Sequence, residues 1–201
     1  FQTEGSGTYP WNESDSAANR NGAAIECNLN LHNGHIYFGS YDSHLYKVNV
    51  TDGTKAGDGF EIHNSEWSHK VRWARSTPLA FDGAIYVGCQ SDKTETNGLY
   101  KFEDGTFKQL GHYVLSSRDA YVNSSPVEVG GSIIFGTDTG NIICVDKDLG
   151  EVWKKNITPN YISCTPAVDG NKLYFTARKV NDELKTICID ADGKIHWETS
   201  K

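Results

Sequence analysis

The sequence predicts an all-β fold, a β-propeller built from four repeats that each form a four-stranded antiparallel blade. The first observation is a recurring segment, found at Ser76–Gly88, Ser124–Gly136 and Cys164–Thr176, with a weaker copy at Cys27–Gly39. Successive copies are offset by about 49, 48 and 40 residues, a spacing typical of propeller blades. The second observation is that short runs of β-branched and aromatic residues alternate with Gly- and Asp-rich turns along the chain.

The third repeat shows how each strand is predicted. Strand A covers 123–129 and is broken by Gly130-Gly131, strand B covers 132–136, strand C covers 141–145, and strand D covers 151–154. Turns rich in Asp and Gly separate B from C and C from D. The remaining strands are predicted at 27–31, 35–40, 45–49, 77–81, 84–88, 99–102, 163–168, 172–176, 185–189 and 194–198.

The domain organisation follows from the repeats. Residues 1–24 are predicted to be a leader that packs on the propeller, and residues 25–201 form the propeller itself. Its four blades are predicted at about 25–62, 74–110, 121–155 and 162–199. A sheet of four short strands cannot bury both faces alone, so neighbouring blades must stack face to face. The four blades form either a complete small ring or half of an eight-bladed ring, which a second copy or a missing half would complete.

Two tryptophans fall at the same place in strand D of the last two repeats. Trp153 and Trp197 both follow a Gly-containing C–D turn, whereas the first two repeats have Phe60 and Leu110 near this position. We expect a large ring here to cover the seam between neighbouring blades. An open β-solenoid is the runner-up architecture, but its coils are usually shorter and carry fewer tryptophans.

The overall composition excludes some functions and favours export. The net charge of −7 argues against general nucleic-acid binding, and no apolar run reaches the length of a membrane span. The chain has no Met, five cysteines, and four Asn-x-Ser/Thr sequons beginning at 12, 49, 123 and 156. These features favour a secreted protein, extracellular or periplasmic, with glycosylation as an option.

The repeat motif is specific enough to indicate a family. The order Ser-Ser-Pro, Gly-x-Ile/Leu-Tyr-x-Gly, Leu-Tyr/Ile-Cys-x-Asp and Gly-x-x-Trp resembles the PQQ-like (quinoprotein-type) propeller repeat. The segment from Tyr9-Pro10-Trp11-Asn12 to Asn19-Arg20-Asn21-Gly22 is similar to the leader that often precedes the first blade in that superfamily. Because this fold hosts dehydrogenases, assembly factors and sensor domains, the resemblance implies the fold and leaves the chemistry open.

The departures from that family concern its cofactor. Quinoprotein dehydrogenases place an adjacent Cys-Cys pair against PQQ, and this chain has none. Their Asp base and calcium-binding carboxylate also have no match here. We therefore expect no cofactor and in particular no PQQ, with calcium at turn residues Asp42, Asp82 or Asp138 as an alternative to ordinary turn chemistry. A degenerate fragment of a quinoprotein dehydrogenase remains a further alternative.

The cysteines follow the repeat. Cys27 and Cys164 take the register of Ser76 and Ser124, a position that favours a small side chain, and Cys144 matches Cys188 in strand C. Small buried residues are the first interpretation. If the four blades close into one ring, Cys27 and Cys164 come from neighbouring blades and could approach each other.

The arginines suggest a binding site at one end of the propeller. In an antiparallel meander, the B–C turns and the D–A connections lie at the same end. All five arginines fall in such segments, together with several aromatic residues, and Arg binds carboxylates while aromatic faces stack on rings. Arg20 lies before the first blade, and the predicted ligand-binding residues are Arg72, Arg75, Arg118, Arg178, Trp67, Trp73, Tyr121 and Tyr161.

Two functions compete on this basis. The preferred one is a non-catalytic binding or scaffold propeller that recognises a protein or an acidic glycan or small molecule through its loops. No residue pattern marks a catalytic centre or a metal site. The competing function is a lyase or hydrolase that acts on acidic carbohydrate, with Arg neutralising the carboxylate and His69 or Tyr121 transferring a proton.

Overall fold

The structure is a computed structural model that describes residues 25–40, 44–57, 60–61, 73–90, 97–115, 121–157, 161–178 and 184–200. All regular secondary structure within these ranges is β-strand. The strands form four antiparallel sheets, and each sheet is made of strands that follow one another in the sequence. The predicted all-β propeller of four blades is thus confirmed. Among the described residues, no helix is long and apolar enough to cross a membrane.

Each repeat gives one sheet, or blade. The first blade contains β1 (Asn30–His32), β2 (His35–Gly39), β3 (His44–Asn49) and β4 (Phe60–Glu61). The second contains β5 (Trp73–Ala74), β6 (Leu79–Phe81), β7 (Ala84–Gln90), β8 (Gly98–Glu103) and β9 (Gln109–Val114). The third contains β10 (Val127–Val129), β11 (Ser132–Gly136), β12 (Asn141–Val145) and β13 (Glu151–Asn156). The fourth contains β14 (Ala167–Asp169), β15 (Lys172–Arg178), β16 (Leu184–Asp190) and β17 (Ile195–Ser200).

The A strands begin later than the sequence predicted. Strand A of the third blade starts at Val127 instead of Asn123. At the head of strand A in the second blade, Ser76 Oγ accepts a hydrogen bond from Gly88 N at 2.6 Å and donates to Gly88 O at 3.3 Å. Cys164 Sγ makes the same pair of bonds with Thr176, at 3.2 and 3.3 Å. At Ser76 and Cys164 a small side chain therefore takes the place of backbone pairing, and either Ser or Cys can make these bonds.

The D strands were predicted incompletely. The sequence predicted none in the first two repeats, but β4 and β9 form there, and β9 ends at Val114, beyond the predicted blade boundary at 110. In the last three blades, the C–D pairing contains a register shift next to the turn, for example between Cys144 and Val145. Such a bulge re-aims the outer strand and makes its periodicity harder to recognise in the sequence.

The hydrophobic core lies between successive blades. Because successive side chains of a strand point to opposite faces of the sheet, each blade has one set of side chains facing the preceding blade and one set facing the following blade. Tyr37 and Leu45 of the first blade pack with Ile85, Val87 and Tyr100 of the second. Two further clusters join the later blades in the same way: Tyr86 and Leu99 with Ile133 and Phe135, and Ile134 and Ile142 with Leu173 and Phe175.

A hydrogen bond from an aromatic ring crosses each of these three interfaces. Tyr37 Oη donates to Asp104 Oδ1 at 2.6 Å, and Tyr86 Oη donates to the carbonyl of Lys147 at 2.7 Å. Trp153 Nε1 donates to the carbonyl of Ala191 at 2.8 Å. All three acceptors lie in the C–D turn of the following blade. The predicted role of Trp153 at the blade seam is confirmed.

The first and fourth blades do not share a core. No hydrophobic cluster of the described residues contains members of both, and Trp197 remains 44% exposed. Cys27 bonds Gly39 and Cys164 bonds Thr176, each within its own blade, and all five cysteines are free thiols. The described blades therefore form an open arc, and the predicted approach of Cys27 to Cys164 is not observed.

Candidate functional site

The B–C turns and the D–A connections meet at one end of the molecule, which we call the loop end. The Tyr121 carbonyl accepts a hydrogen bond from Asp138 N at 3.0 Å, and the Thr137 carbonyl accepts one from Ile162 N, also at 3.0 Å. The Tyr161 carbonyl accepts one from Arg178 N at 3.1 Å. The B–C turn of the third blade is thus hydrogen-bonded to the D–A connection that precedes the blade and to the one that follows it, as the meander geometry predicts.

Asp138 is a half-buried acid of the loop end. It lies in the B–C turn of the third blade, where Asn123 Nδ2 contacts both carboxylate oxygens at 3.1 and 3.0 Å. Burial raises the pKa of Asp138 to about 6, although the Asn123 amide and the positive charge of Arg75 act in the opposite direction. A carboxyl group with such a pKa changes its charge under mildly acidic conditions.

Arg75 approaches the same region from the second blade. Its Nε lies 3.8 Å from Glu26 Oε2, and the Arg75 side chain is 30% exposed. Its charge also influences Asp138 of the third blade. Because Arg75 contacts Glu26, a ligand that binds Arg75 must compete with that carboxylate.

The starts of the A strands are connected around the loop end. Asn28 N donates to Thr77 Oγ1 at 3.0 Å, and Thr77 N donates to Ser125 Oγ at 2.9 Å. These hydrogen bonds link three successive blades. The connections that carry Arg75 and Tyr121 are thus held in a fixed order around the arc.

Only part of the predicted site lies within the described residues. Tyr121 is half-buried beside Asp138, Tyr161 is 54% exposed, and Arg178 is exposed. Trp73 lies in β5, where only its backbone is described. Arg72, Arg118, Trp67 and His69 lie outside the described residues. The structure brings Tyr161 next to Arg178 and Tyr121 next to Asp138, and convergence of all eight residues stays a prediction.

Sequence reasoning undervalued three residues of the loop end. Asp138 was considered only as a calcium ligand, Asn123 only as a sequon, and Glu26 not at all. The Asn123 side chain, bound to Asp138, belongs to the structure of this site. The available signal was the alignment of the repeats, because it places Asp138 at the B–C turn and Asn123 at the preceding D–A connection.

The expectation that the chain binds no PQQ stays a prediction. The chain lacks the adjacent cysteine pair that the family resemblance requires. Within the described ranges, no three His, Cys, Asp or Glu side chains are grouped so that they could hold a metal ion. Asp82 instead contacts Lys147 at 3.1 Å, while Asp42 lies outside the described residues. A calcium ion remains a prediction without a described ligand set.

Comparison with known proteins agrees with the architecture. No family model matches the chain. The curated outer membrane protein assembly factor BamB of Salmonella typhimurium is 24% identical over 198 residues, which cover 92% of this chain and 46% of that protein. The chain thus spans about half the length of this relative.

Solved structures extend the comparison. BamB from Moraxella catarrhalis matches with a TM-score of 0.60 and 12% identity, covering 88% of this chain and 62% of that one. Quinohemoprotein alcohol dehydrogenase from Comamonas testosteroni matches with a TM-score of 0.69 and 14% identity, and the match covers 88% of this chain and 35% of that one. The chain has the fold of the PQQ-like β-propellers. Because proteins with this fold include both an assembly factor and an enzyme, the fold by itself does not decide the function.

Proposed function

We propose that this propeller is a non-catalytic scaffold of an exported protein, which binds a protein partner through its loop end. The observation that carries the proposal is the likeness to BamB along 92% of the chain, since that relative is named as an assembly factor for outer membrane proteins. The same likeness supports a place on the periplasmic side of an envelope. The partner is a protein that presents acidic side chains.

The chemistry of the loop end supports this choice. Arg75 and Arg178 are cations in an otherwise acidic chain, and Arg forms planar, two-pronged hydrogen bonds with carboxylates. Tyr161 adds an exposed aromatic ring next to Arg178. Arginine and tyrosine are enriched in protein interfaces.

Site-specific photo-crosslinking tests the binding end. A photoreactive residue is introduced at Tyr161 of the loop end, and in a matched control at Asp148, an exposed residue of the third C–D turn. We expect Tyr161 to give a crosslink to a discrete protein in the envelope of the source cell, and the control to give none. Crosslinks of equal yield from both positions, or from the control alone, would contradict binding at the loop end.

The arginines are tested separately by anion binding. Sulfate or a short acidic peptide, added to the purified chain, is expected to bind more weakly as ionic strength rises. Arg75→Ala should weaken binding by about 1–3 kcal/mol, and Arg118→Ala by a similar amount. Glu26→Gln is the matched control and should strengthen binding, because it removes the carboxylate next to Arg75. An unchanged affinity in all three variants would argue against an anion site.

An enzyme that acts on acidic carbohydrate remains the second candidate. The observation in its favour is that Asp138, with a pKa of about 6, lies within the electrostatic influence of Arg75. Such a carboxyl group could transfer a proton while the arginine neutralises a uronic acid. Turnover of a uronic-acid polymer that is lost in Asp138→Asn would support this candidate, and the absence of turnover in the unmodified chain would exclude that substrate.

A further inference from the structure

The hairpin that joins β1 to β2 turns through an exposed Asn-Gly pair. His32 pairs with His35 across the hairpin, so the loop between the strands consists of Asn33 and Gly34. Their φ angles are both positive, 47° and 74°, as a two-residue hairpin of type I′ requires. Both residues are exposed, and a Cβ added to Gly34 would meet no atom within 4 Å. The turn therefore leaves the Gly34 backbone room to approach the Asn33 side chain.

An asparagine side chain can react with the backbone nitrogen that follows it. In this turn, Gly34 N attacks Cγ of Asn33 and loses its proton to water, and a five-membered succinimide ring forms. The side-chain nitrogen Nδ2 gains a proton and leaves as ammonia. Water then opens the ring at one of its two carbonyls and gives aspartate or isoaspartate, so the net reaction consumes one water and releases one ammonia. Asparagine is heat-labile in proteins, and a following glycine favours the attack because it has no side chain to obstruct the approach.

His32 is placed to supply the proton that the departing nitrogen needs. Its Nε2 lies 2.8 Å from Asn33 Nδ2, which is hydrogen-bond distance. His35 contacts a different atom, because its Nδ1 lies 2.9 Å from the Asn33 carbonyl oxygen. A proton donor at the leaving nitrogen is the arrangement of general acid catalysis. Of the two histidines that flank the turn, His32 is thus the one that contacts the leaving atom.

We propose that the Asn33-Gly34 turn is a self-modification site, at which Asn33 converts to aspartate and isoaspartate while the His32 imidazolium protonates the departing ammonia. Solvent then returns a proton to His32, so the histidine is unchanged at the end of the reaction. The substrate is the chain's own side-chain amide, and water is the co-reactant. Because the turn joins strands A and B of the first blade, it lies at the opposite end from the loop end, and the proposal does not rest on partner binding.

A second Asn-Gly pair provides an internal comparison. Asn97 is fully buried, and a Cβ added to Gly98 would lie 1.9 Å from the Tyr113 carbonyl oxygen. The backbone at Gly98 is therefore packed too closely to move towards the preceding side chain. The structure thus predicts that Asn33 reacts and that Asn97 does not, although the two share the same dipeptide sequence. The pair Asn21-Gly22 lies outside the described residues.

The two products should differ in their effect on the hairpin. Aspartate fits the turn, because Asp82 and Gly83 form the same A–B turn in the second blade with φ angles of 49° and 72°. Isoaspartate instead adds a carbon atom to the backbone of a two-residue loop, and loop length sets the register of a hairpin. Asn33→Asp should therefore keep the melting temperature of the original chain, whereas the isolated isoaspartate form should melt at a lower temperature.

Peptide mapping by mass spectrometry tests the proposal. The 201-residue chain is kept near neutral pH for several weeks, and conversion is followed from the rise in mass when an amide becomes a carboxyl group. A methyltransferase specific for isoaspartate identifies that product. We expect Asn33 to convert while Asn97 remains an amide. His32→Gln should slow the conversion at least about fivefold, and the matched control His35→Gln should leave the rate nearly unchanged.

The possible outcomes separate the parts of the proposal. It is overturned if Asn33 remains an amide, or if Asn33 and Asn97 convert at equal rates, since reaction would then follow the dipeptide sequence and not the turn. An unchanged rate in His32→Gln, or an equal loss in His35→Gln, would overturn proton transfer from His32. A reduced rate in His32→Gln cannot result from misfolding, because unfolding gives the turn more freedom to react. Circular dichroism of each variant confirms that the β-structure is retained.

Discussion

The two ends of the propeller are held together in different ways. At the end formed by the C–D turns, which we call the turn end, a ring donor crosses each of the three interfaces. Lysines reinforce this pattern, since Lys101 contacts Asp148 at 2.9 Å across the second interface. At the loop end, the contacts are backbone hydrogen bonds, close approaches at glycine, and polar groups around Asp138.

This difference indicates how the fold separates stability from recognition. The side chains of the turn end recur from blade to blade, as expected for groups that fix the stacking. The charged and aromatic side chains of the loop end differ from blade to blade, whereas backbone hydrogen bonds and small hydroxyl side chains such as Thr77 and Ser125 hold the connections in place. A chain can therefore change its loop-end residues for binding while the blades remain stacked.

Removing the ring donor of the third interface should have the largest effect. Trp153→Ala deletes a half-buried indole and its hydrogen bond to the Ala191 carbonyl, and should lower the free energy of unfolding by about 3 kcal/mol. Denaturant unfolding measures this value. Trp197→Ala is the matched control, since Trp197 is the third residue of its D strand, as Trp153 is, but is 44% exposed, and this change should cost less than about 1 kcal/mol. Equal losses would mean that the third interface does not depend on the indole.

Much of the fold could be predicted because the signal repeats. Four copies of one pattern specify the B and C strands, and the short turns between them leave few alternatives. The starts of the A strands were missed because the bonds from Ser76 and Cys164 to strand B are side-chain interactions, which periodicity does not show. Strands β4 and β9 were missed because they lack the tryptophan that marks the later D strands.

The site was less predictable, because it depends on distances between blades. The sequence places Arg75 and Asp138 in loop-end segments, but it cannot show that Glu26 lies 3.8 Å from Arg75. Nor can it show the burial that raises the pKa of Asp138 to about 6. Such properties arise only when residues about 50 positions apart come together.

Stability should depend on pH through two groups with opposite effects, Asp138 of the loop end and His112 of strand β9. Since the pKa of Asp138 is raised from 3.8 to about 6 by burial, its contribution to stability is complete below about pH 4 and is lost as the pH rises through 6. Burial lowers the pKa of His112 from 6.5 to about 4, so its contribution is present above pH 6.5 and is lost as the pH falls towards 4. At about 1.36 kcal/mol for each unit of pKa, each contribution is about 3 kcal/mol.

Variants separate the two contributions. Asp138→Asn should leave only the histidine effect, so that unfolding free energy falls more steeply between pH 6.5 and 4 than in the original chain. His112→Phe keeps a ring stacked on Tyr100, 3.9 Å away in the original chain, and should reverse the slope. Equilibrium denaturation at several pH values measures both slopes. Parallel curves for the two variants would contradict the assigned pKa shifts.

The first two interfaces of the turn end should differ in the strength of their tyrosine hydrogen bonds. Tyr37 donates to a carboxylate, which Lys47 also contacts at 3.0 Å, whereas Tyr86 donates to a neutral carbonyl. Bonds to charged groups are the stronger ones. Tyr37→Phe should therefore cost about 2 kcal/mol and Tyr86→Phe about 1 kcal/mol. A larger loss in Tyr86→Phe, measured by denaturant unfolding, would argue against the role of the Asp104 charge.

The smallest effect is expected at an exposed ion pair of the turn end. Lys147 contacts Asp82 at 3.1 Å, but both side chains are more than half exposed, so water and salt screen their attraction. Lys147→Ala should leave the melting temperature unchanged at low and at high salt. Lys47→Ala is the matched comparison, because the side chains of Lys47 and Asp104 are only 12% and 15% exposed, and it should lower the melting temperature at both salt concentrations. If Lys147→Ala instead lowers the melting temperature more than Lys47→Ala does, exposed charges stabilise the turn end. The half-buried contacts would then not be what distinguishes the turn end from the loop end.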